Sequence, residues 1–369
     1  MYVKNNDFLY WKGMINLGSK IEIILYPNPN VSSSSEYSCN IKDLGCDFTY
    51  FDFYDSSYIS KVRKIFHSAQ LIKNYKNCFI FLYFPNTFNL IFYSMLASKR
   101  IVSYWGNDWE MVNDLKYQQY RQFKNLIMKY VTHHAQRHIV KKSTVSIFAG
   151  KDLYSRFNNI SKSSLLTNPF ITFSKGDKYF RKDTCTNQLI YLTYVGIFSK
   201  RKGLMELMNV FNALSIRYSN VRLILVGKGN LEDEINTFIQ RNELQDKVEL
   251  TGYIGDKIKL SSIYKKSDIF VLPSYMEGFP RVVYEAMLNS LPVVCTNVGG
   301  IPNFLTDGVH ALIHSPGDLK GMQVCIEKII NNKEFRKKII ANSYSLIDQI
   351  IEKPAFEQHF YLLKKQGEK

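Results

Sequence analysis

The sequence predicts an α/β protein made of two domains, each with a doubly wound parallel sheet. Its 369 residues are long for one hydrophobic core and comfortable for two. Hydrophobic residues make up 46% and charged residues 22%, a balance typical of globular chains and not of disordered ones. In the C-terminal half, runs that are apolar along their whole length alternate with helical patterns, which indicates parallel strands covered on both faces.

The C-terminal half has the clearer pattern. Strands are predicted where short apolar runs end in turn-forming residues, and helices where apolar residues recur every three to four positions. The predicted strands are 189–196, 221–227, 248–252, 268–273 and 292–296, and the predicted helices are 204–217, 231–242, 258–266 and 280–289.

The N-terminal half has weaker signals of a second α/β domain. The predicted strands are 20–26, 78–84 and 100–106, with one or two more inside 138–149, and the predicted helices are 58–73, 88–98 and 114–137. A polar and poorly periodic stretch then indicates a linker. The predicted divisions are a first domain at 1–170, a linker at 171–187, a second domain at 188–350, and a helix at 351–369 that crosses back to the first domain.

The longest apolar run is the twenty residues 78–97, which Pro85, Asn86, Thr87 and Asn89 interrupt. A strand, a turn and a buried helix fit this run better than a membrane-spanning helix. The six cysteines form no Cys-x-x-Cys pair, and the N-terminus lacks the pattern of a signal sequence. We therefore expect free thiols and a cytoplasmic location.

The formal net charge of +16 predicts attraction to an anionic partner. Between Lys116 and Lys162 there are ten lysines and arginines and one acid, Asp152. Two interpretations stay open: a solvated helical face, or a face that docks on anionic lipid head groups. A nucleic-acid partner is suggested by charge alone and lacks any recognised binding module, so we expect none.

Three features with functional chemistry follow strands of the C-terminal sheet. In open α/β sheets ligands bind beyond the carboxyl ends of the strands, so we expect all three at one cleft. The first is residues 195–203, where a strand ends at Gly196 and a loop carries Lys200, Arg201 and Lys202. Cations beside a helix N-terminus suit a diphosphate, although a solvated basic loop would have the same sequence.

The second feature, residues 225–235, contains a Gly-x-Gly sequence that begins at Gly227. These glycines either form a tight turn or let the backbone approach a nucleotide. The third is residues 273–287, with Glu277 in a loop, Pro280 as the first helical residue and Glu285 inside the helix. The Glu277 carboxylate can accept hydrogen bonds from sugar hydroxyls, and the Glu285 carboxylate can accept them from two ribose hydroxyls. Taken alone, such a pair of glutamates is typical of a surface helix.

Together these residues resemble the retaining group-1 glycosyltransferases, classified as family four. The family hallmark is two glutamates separated by seven residues in a segment like E-G-F-P-x-x-x-x-E-A-M, followed by P-V-V and V-G-G-I-P. Residues 277–287, 292–294 and 298–302 reproduce it almost letter for letter, and 307–312 resembles the family's next turn. The resemblance covers roughly a third of the chain and implies a GT-B fold, in which two Rossmann-like domains face a central cleft.

The resemblance also implies roles for individual residues. Glu285 is expected to bind the ribose of a nucleoside-diphosphate sugar, Glu277 to lie at the donor sugar, and Lys202 with Arg201 to neutralise the leaving diphosphate. Many members carry an arginine where this chain has Ile197. The phosphate charge must therefore be neutralised by the basic loop, Lys200, Arg201 and Lys202. The full set predicted to bind the donor is Gly196, Arg201, Lys202, Gly227, Gly278, Phe279, Pro280 and Glu285.

The reaction is expected to need no metal and no other cofactor. The transition state should resemble an oxocarbenium ion, with charge growing on the diphosphate where lysine and arginine stabilise it. No Asp-x-Asp pair occupies a strand-end loop, which argues against a metal-dependent GT-A enzyme.

The N-terminal domain is expected to bind the acceptor. Residues 103–110 resemble a strand-end H-G-S-D segment of the family, which makes Asp108 the candidate for a polar group near the reacting centre; an N-cap for the next helix is the alternative. His133 and His134 are interpreted as surface residues. The family's opening strand and glycine-rich loop are expected to be missing or reduced to the first few residues, so the acceptor side is atypical or the chain incomplete.

The resulting prediction is a retaining glycosyltransferase that moves a hexose-type sugar to a glycan or a polyprenyl-linked oligosaccharide during synthesis of a surface polysaccharide such as O-antigen or capsule. The basic stretch would seat it on the inner face of the plasma membrane. The alternative is a sugar-nucleotide epimerase or hydrolase on the same scaffold, which would consume the donor without an acceptor.

Overall fold

The computed structural model divides into two compact units, one formed by residues 1–172 with 354–369 and the other by residues 173–353. The residues whose structure is described are 2–3, 5–17, 22–25, 39–40, 47–50, 66, 70, 79–84, 90, 93–95, 100–106, 122–167, 175–277 and 280–367. Each unit contains a parallel sheet with helices, so the predicted fold class is confirmed.

The first unit is built on a four-stranded parallel sheet in the order β5-β6-β7-β8. Alternate residues of the second of these strands belong to two different hydrophobic clusters, Ile101 and Trp105 to one and Val102 and Tyr104 to the other. Because successive side chains of a strand point to opposite faces, both faces of the sheet are covered. The strands of this unit are β1 (Tyr2–Val3), β2 (Glu22–Leu25), β3 (Cys39–Asn40), β4 (Asp47–Tyr50), β5 (Phe79–Phe84), β6 (Arg100–Trp105), β7 (Val145–Phe148) and β8 (Ser164–Leu166).

The helices of the first unit with described bounds are α1 (Asn5–Asn16), α2 (Gln122–Lys142), α3 (Lys151–Phe157) and, from the end of the chain, α11 (Ala355–Gly367). Of the one or two strands predicted inside 138–149, one is present as β7, because α2 continues to Lys142. Gln136, Ile139 and Val140 are buried, and their spacing of three and four residues gives a helix one inward face. Most of the predicted helices 58–73 and 88–98, and the start of 114–137, lie outside the described residues.

The second unit has a six-stranded parallel sheet in the order β11-β10-β9-β12-β13-β14. All five predicted strands are present, and the short β14 was not predicted. The strands are β9 (Ile190–Val195), β10 (Val221–Val226), β11 (Val248–Gly252), β12 (Ile269–Leu272), β13 (Val293–Thr296) and β14 (Leu312–His314).

Helices of the second unit cover this sheet with apolar side chains. The buried residues Leu204, Leu207, Phe211 and Leu214 recur at intervals of three and four, as in an amphipathic helix. The four helices predicted here are present, each with bounds within one residue of the prediction. The helices are α4 (Leu204–Arg217), α5 (Glu232–Arg241), α6 (Lys257–Lys266), α7 (Arg281–Leu288), α8 (Ile301–Phe304), α9 (Leu319–Asn331) and α10 (Lys333–Glu352).

The strand order of the second sheet determines where a site can form. The chain runs outward from β9 to β10 and β11, and then returns to place β12 on the other side of β9. Loops that leave β9 and β12 at their carboxyl ends therefore diverge from two neighbouring strands. Such a switch point leaves a crevice where ligands of open α/β sheets bind.

No helix among the described residues has both the length and the apolar content needed to span a bilayer. In the apolar run 78–97, the predicted strand is present as β5.

Candidate active site

The two loops at this switch point bring Lys202 and Glu277 together. Lys202 lies in a short 3₁₀ turn after β9, and Glu277 lies in the loop after β12. The Nζ of Lys202 is 2.5 Å from Oε1 of Glu277, and the two side chains are only 13% and 8% exposed. A charged pair so little exposed is weakly screened by salt.

Ser274 holds the same carboxylate oxygen. Its hydroxyl donates to Oε1 of Glu277 at 2.6 Å, and its own carbonyl oxygen accepts from the hydroxyl of Thr296 at 2.5 Å. Ser274 and Thr296 are fully buried at the ends of β12 and β13. Within the described residues, both hydrogen bonds to the Glu277 carboxylate end on Oε1 and none ends on Oε2.

Tyr275 joins the loop after β12 to the basic 3₁₀ turn and helix that follow β9. Its amide donates to the carbonyl of Arg201 at 2.8 Å, and its hydroxyl donates to Oε1 of Glu206 at 2.7 Å. Gly203, which ends the basic turn with φ of +65°, passes so near to the carbonyl oxygen of Pro273 that a Cβ atom would lie 2.0 Å from it. The two loops are thus fastened to each other at the backbone.

Gly196 and Gly227 pack the backbone of neighbouring loops. A Cβ on Gly227, whose φ is +143°, would lie 1.9 Å from the carbonyl oxygen of Gly196. The amide of Gly196 donates to Val226 and that of Gly227 donates to Gly252. Both N–H groups already have backbone acceptors, so the structure shows these glycines in the close packing of the loops.

Glu285 lies on α7 in a different setting. It is half-buried, and its Oε2 accepts a hydrogen bond from the hydroxyl of Tyr264 at 3.0 Å. Burial raises the pKa of the Glu285 carboxyl, while the bond from Tyr264 and the charges of Arg281 and Lys257 act to lower it. The structure therefore pairs Lys202 with Glu277 and gives Glu285 a separate partner.

The remaining residues from the sequence analysis are exposed, buried or outside the described residues. Arg201 is exposed, and Ile197, which stands where many family members carry arginine, is 58% exposed. Pro280 is buried and precedes the first helical residue, so the prediction that it begins the helix was wrong by one position. The candidates Asp108, Gly278 and Phe279 lie outside the described residues.

The residues that hold the two glutamates, Ser274 and Tyr264, were not identified from the sequence. Ser274 was part of the quoted motif and Tyr264 of a predicted helix, but nothing in their spacing indicates which side chain each would contact. Their positions at a strand end and on a helix next to the site are the signals that could have found them.

The described part of the basic stretch, residues 122–162, forms α2 and the segments after it. Arg137, Lys141 and Lys142 are exposed, and so are Tyr130 and Val131 on the same helix. His134 is exposed and His133 half-buried. In the part of the chain that the structure describes, no three His, Cys, Asp or Glu residues are grouped as metal ligands.

Comparison with known proteins finds a family similar to the second unit. The family model described as "Glycosyl transferases group 1" matches residues 177–346. The capsular polysaccharide biosynthesis glycosyltransferase CapM of Staphylococcus aureus is 31% identical over 166 residues, which are 44% of this chain and 42% of that protein. The chain spans about two fifths of the length of the curated relatives it matches.

Solved structures match almost the whole chain in fold. Sucrose-phosphate synthase from Thermosynechococcus elongatus has a TM-score of 0.71 at 17% identity, covering 99% of this chain and 95% of that one. HepE from Anabaena, solved in complex with UDP and glucose, has a TM-score of 0.69 at 16% identity, covering 98% and 95%. Residues 177–346 are thus similar to the group 1 glycosyltransferases, and the fold of the chain is GT-B.

Proposed function

We propose that the protein is a retaining glycosyltransferase that moves a hexose-type sugar from a nucleoside diphosphate to a glycan or a polyprenyl-linked oligosaccharide. The observation that carries the proposal is the close pair of Lys202 and Glu277 at the switch point of the second sheet. A fixed cation there suits a diphosphate, and a carboxylate with one open oxygen suits sugar hydroxyls.

In this proposal each side chain has one task. Lys202, with the exposed Arg201, neutralises the charge that develops on the leaving diphosphate, which stabilises the transition state electrostatically. Glu277 accepts from hydroxyls of the donor sugar, and Glu285 accepts from hydroxyls of the ribose. These cations take the place of a metal, so the reaction proceeds without a metal or another cofactor.

The relatives support the choice of substrates. The name of the Staphylococcus aureus relative refers to capsular polysaccharide biosynthesis, and HepE was solved with UDP and glucose. By analogy we place this chain in the synthesis of a surface polysaccharide, with a nucleotide sugar as donor. The donor's base and the identity of the sugar are left to experiment.

The surface of α2 supports an additional proposal about location. Its exposed lysines and arginine, beside the exposed Tyr130 and Val131, suit attraction to anionic head groups together with shallow insertion. We propose that this face seats the protein on the cytoplasmic side of the membrane, where polyprenyl-linked acceptors are found. Sedimentation with vesicles of anionic lipid, but not with neutral vesicles, is the expected result.

The proposal is tested first by a donor screen. Thermal shift with UDP, GDP, ADP and their sugars identifies the nucleotide, because a ligand that binds the folded state raises its melting temperature. Release of the nucleoside diphosphate is then measured with and without a membrane extract that supplies acceptors. We expect release to depend on the extract, to vanish in Glu285→Ala and to fall sharply in Lys202→Ala.

Two results would contradict this reading. Full activity of both variants would remove the donor site from the residues named here. Equal consumption of the donor with and without acceptor would favour an epimerase or a hydrolase.

A further inference from the structure

Tyr264 stands out among the buried side chains because its hydroxyl binds a carboxylate. It lies on α6, is 2% exposed, and donates to Oε2 of Glu285 on α7 at 3.0 Å. Since the phenol is buried, its hydroxyl donates to the Glu285 carboxylate and not to solvent.

The contact leaves Glu285 with one fixed oxygen and one open oxygen. Among the described residues, Oε1 of Glu285 takes part in no hydrogen bond, and the side chain is half-buried. A glutamate has three rotatable side-chain bonds, and a tie at one oxygen selects one arrangement of them before a ligand arrives. The open oxygen is then aimed in a constant direction.

A buried tyrosine hydroxyl with only a structural role can donate to a neutral backbone carbonyl. Tyr194, also buried in this unit, donates to the backbone carbonyl of Ile197 at 3.0 Å. That neutral acceptor costs no desolvation of a charge, whereas pairing a buried phenol with a carboxylate keeps an ionised group partly out of water. The choice of Glu285 as the partner of Tyr264 therefore needs a reason beyond packing.

We propose that Tyr264 is a positioning residue that presents Glu285 to the ribose of the donor. The proposal rests on the proposed function, because the ribose contact of Glu285 is part of that function. It assigns Tyr264 no contact with the ligand and no part in the chemical step.

The test compares nucleotides that differ only in the ribose hydroxyls. Isothermal titration measures the affinity of the wild type for UDP and GDP and for their 2′,3′-dideoxy forms, and the better pair is used for the variants. The variant is Tyr264→Phe, which removes the hydroxyl and keeps the ring. The matched control is Tyr218→Phe, which removes a hydroxyl that contacts Asn331 beyond the far end of α4.

We expect the wild type and Tyr218→Phe to prefer the ribonucleotide. In Tyr264→Phe the preference should fall by about tenfold, the usual effect of one hydrogen bond to a charged group, while affinity for the dideoxy form stays the same. Glu285→Asp, which keeps the charge but shortens the reach, should lose the preference as well.

The possible failures are distinct. A wild type that prefers the ribonucleotide together with a Tyr264→Phe variant that prefers it equally would overturn the positioning role alone. A wild type that binds both forms equally would remove the ribose contact from Glu285, and this inference with it. Equal loss of affinity for both forms in Tyr264→Phe would assign Tyr264 a structural role and also overturn the inference.

Discussion

We expect Glu277→Gln to bind a nucleoside diphosphate more tightly than the wild type and to transfer sugar more slowly. The ammonium of Lys202 faces the carboxylate of Glu277 at 2.5 Å. A diphosphate that uses Lys202 must share this ammonium with a second anion. Neutralising Glu277 removes that competition and the repulsion between the carboxylate and the phosphates.

The size of the effect follows from the burial of the pair. With exposures of 13% and 8%, the contact is far from the screened surface pairs that contribute almost nothing. A hydrogen bond to a charged group contributes about 1.5–3 kcal/mol, and the amide of glutamine keeps part of it. We therefore expect binding stronger by about 1–2 kcal/mol, which is about 5- to 30-fold in Kd. The transfer rate should fall by about 10- to 100-fold, because an amide accepts more weakly from the donor sugar.

Isothermal titration measures the Kd of the preferred nucleoside diphosphate. The transfer rate is measured as the initial rate at which the nucleoside diphosphate is released from the sugar donor. Glu327→Gln is the matched control, since it removes one charge from an ion pair with Arg217 at the far end of α4. The control should change neither quantity. Weaker or unchanged binding of the nucleoside diphosphate to Glu277→Gln would refute the reasoning.

Three further predictions concern positioning, backbone and pH. Ser274→Ala should lower kcat by about 10- to 100-fold, because it removes a charge-assisted bond of about 1.5–3 kcal/mol to Glu277; a donor-release assay measures this. Gly203→Ala should lower the melting temperature much more than Gly308→Ala, because both glycines have positive φ but only a Cβ at Gly203 would lie 2.0 Å from a carbonyl oxygen. Burial lowers the pKa of His359 to about 3, so the unfolded chain binds a proton below pH 6.5 that the folded state does not. Stability should therefore be full above pH 6.5 and fall by about 2 kcal/mol by pH 5, a loss that His359→Gln avoids in denaturant titrations.

Each of these predictions has a contradicting result. Unchanged kcat in Ser274→Ala would show that the bond does not position the carboxylate. Equal melting temperatures for the two glycine variants would mean that the backbone relaxes at no cost. The same pH dependence with and without His359 would assign the acid loss to other groups.

The second unit could be predicted closely because its sheet is covered on both faces. Strand β12 is apolar along its whole length and β10 is apolar except for Arg222, and turn-forming residues mark their ends. The strand β14 was missed because three residues are too few to form a pattern. At Ile139 and Val140, β-branched residues suggested a strand, but their burial on one face of a long helix outweighs that preference.

The site was predictable by position and not by contact. Parallel strands place their carboxyl ends at one edge, so the loops that carry Lys202 and Glu277 could be expected near each other. Which side chains would touch depends on contacts between residues far apart in the chain, such as the one between Tyr264 and Glu285. Local spacing contains no information about such pairs.

The central claim is that Lys202 and Glu285 bind one nucleoside diphosphate at the edge of the second sheet. A crystal structure with the nucleotide selected by thermal shift tests it most directly. We predict a phosphate oxygen about 2.7–3.0 Å from the Nζ of Lys202 and the ribose hydroxyls on the carboxylate of Glu285. A nucleotide bound elsewhere, with Lys202 contacting Glu277 alone and Glu285 contacting Tyr264 alone, would contradict it.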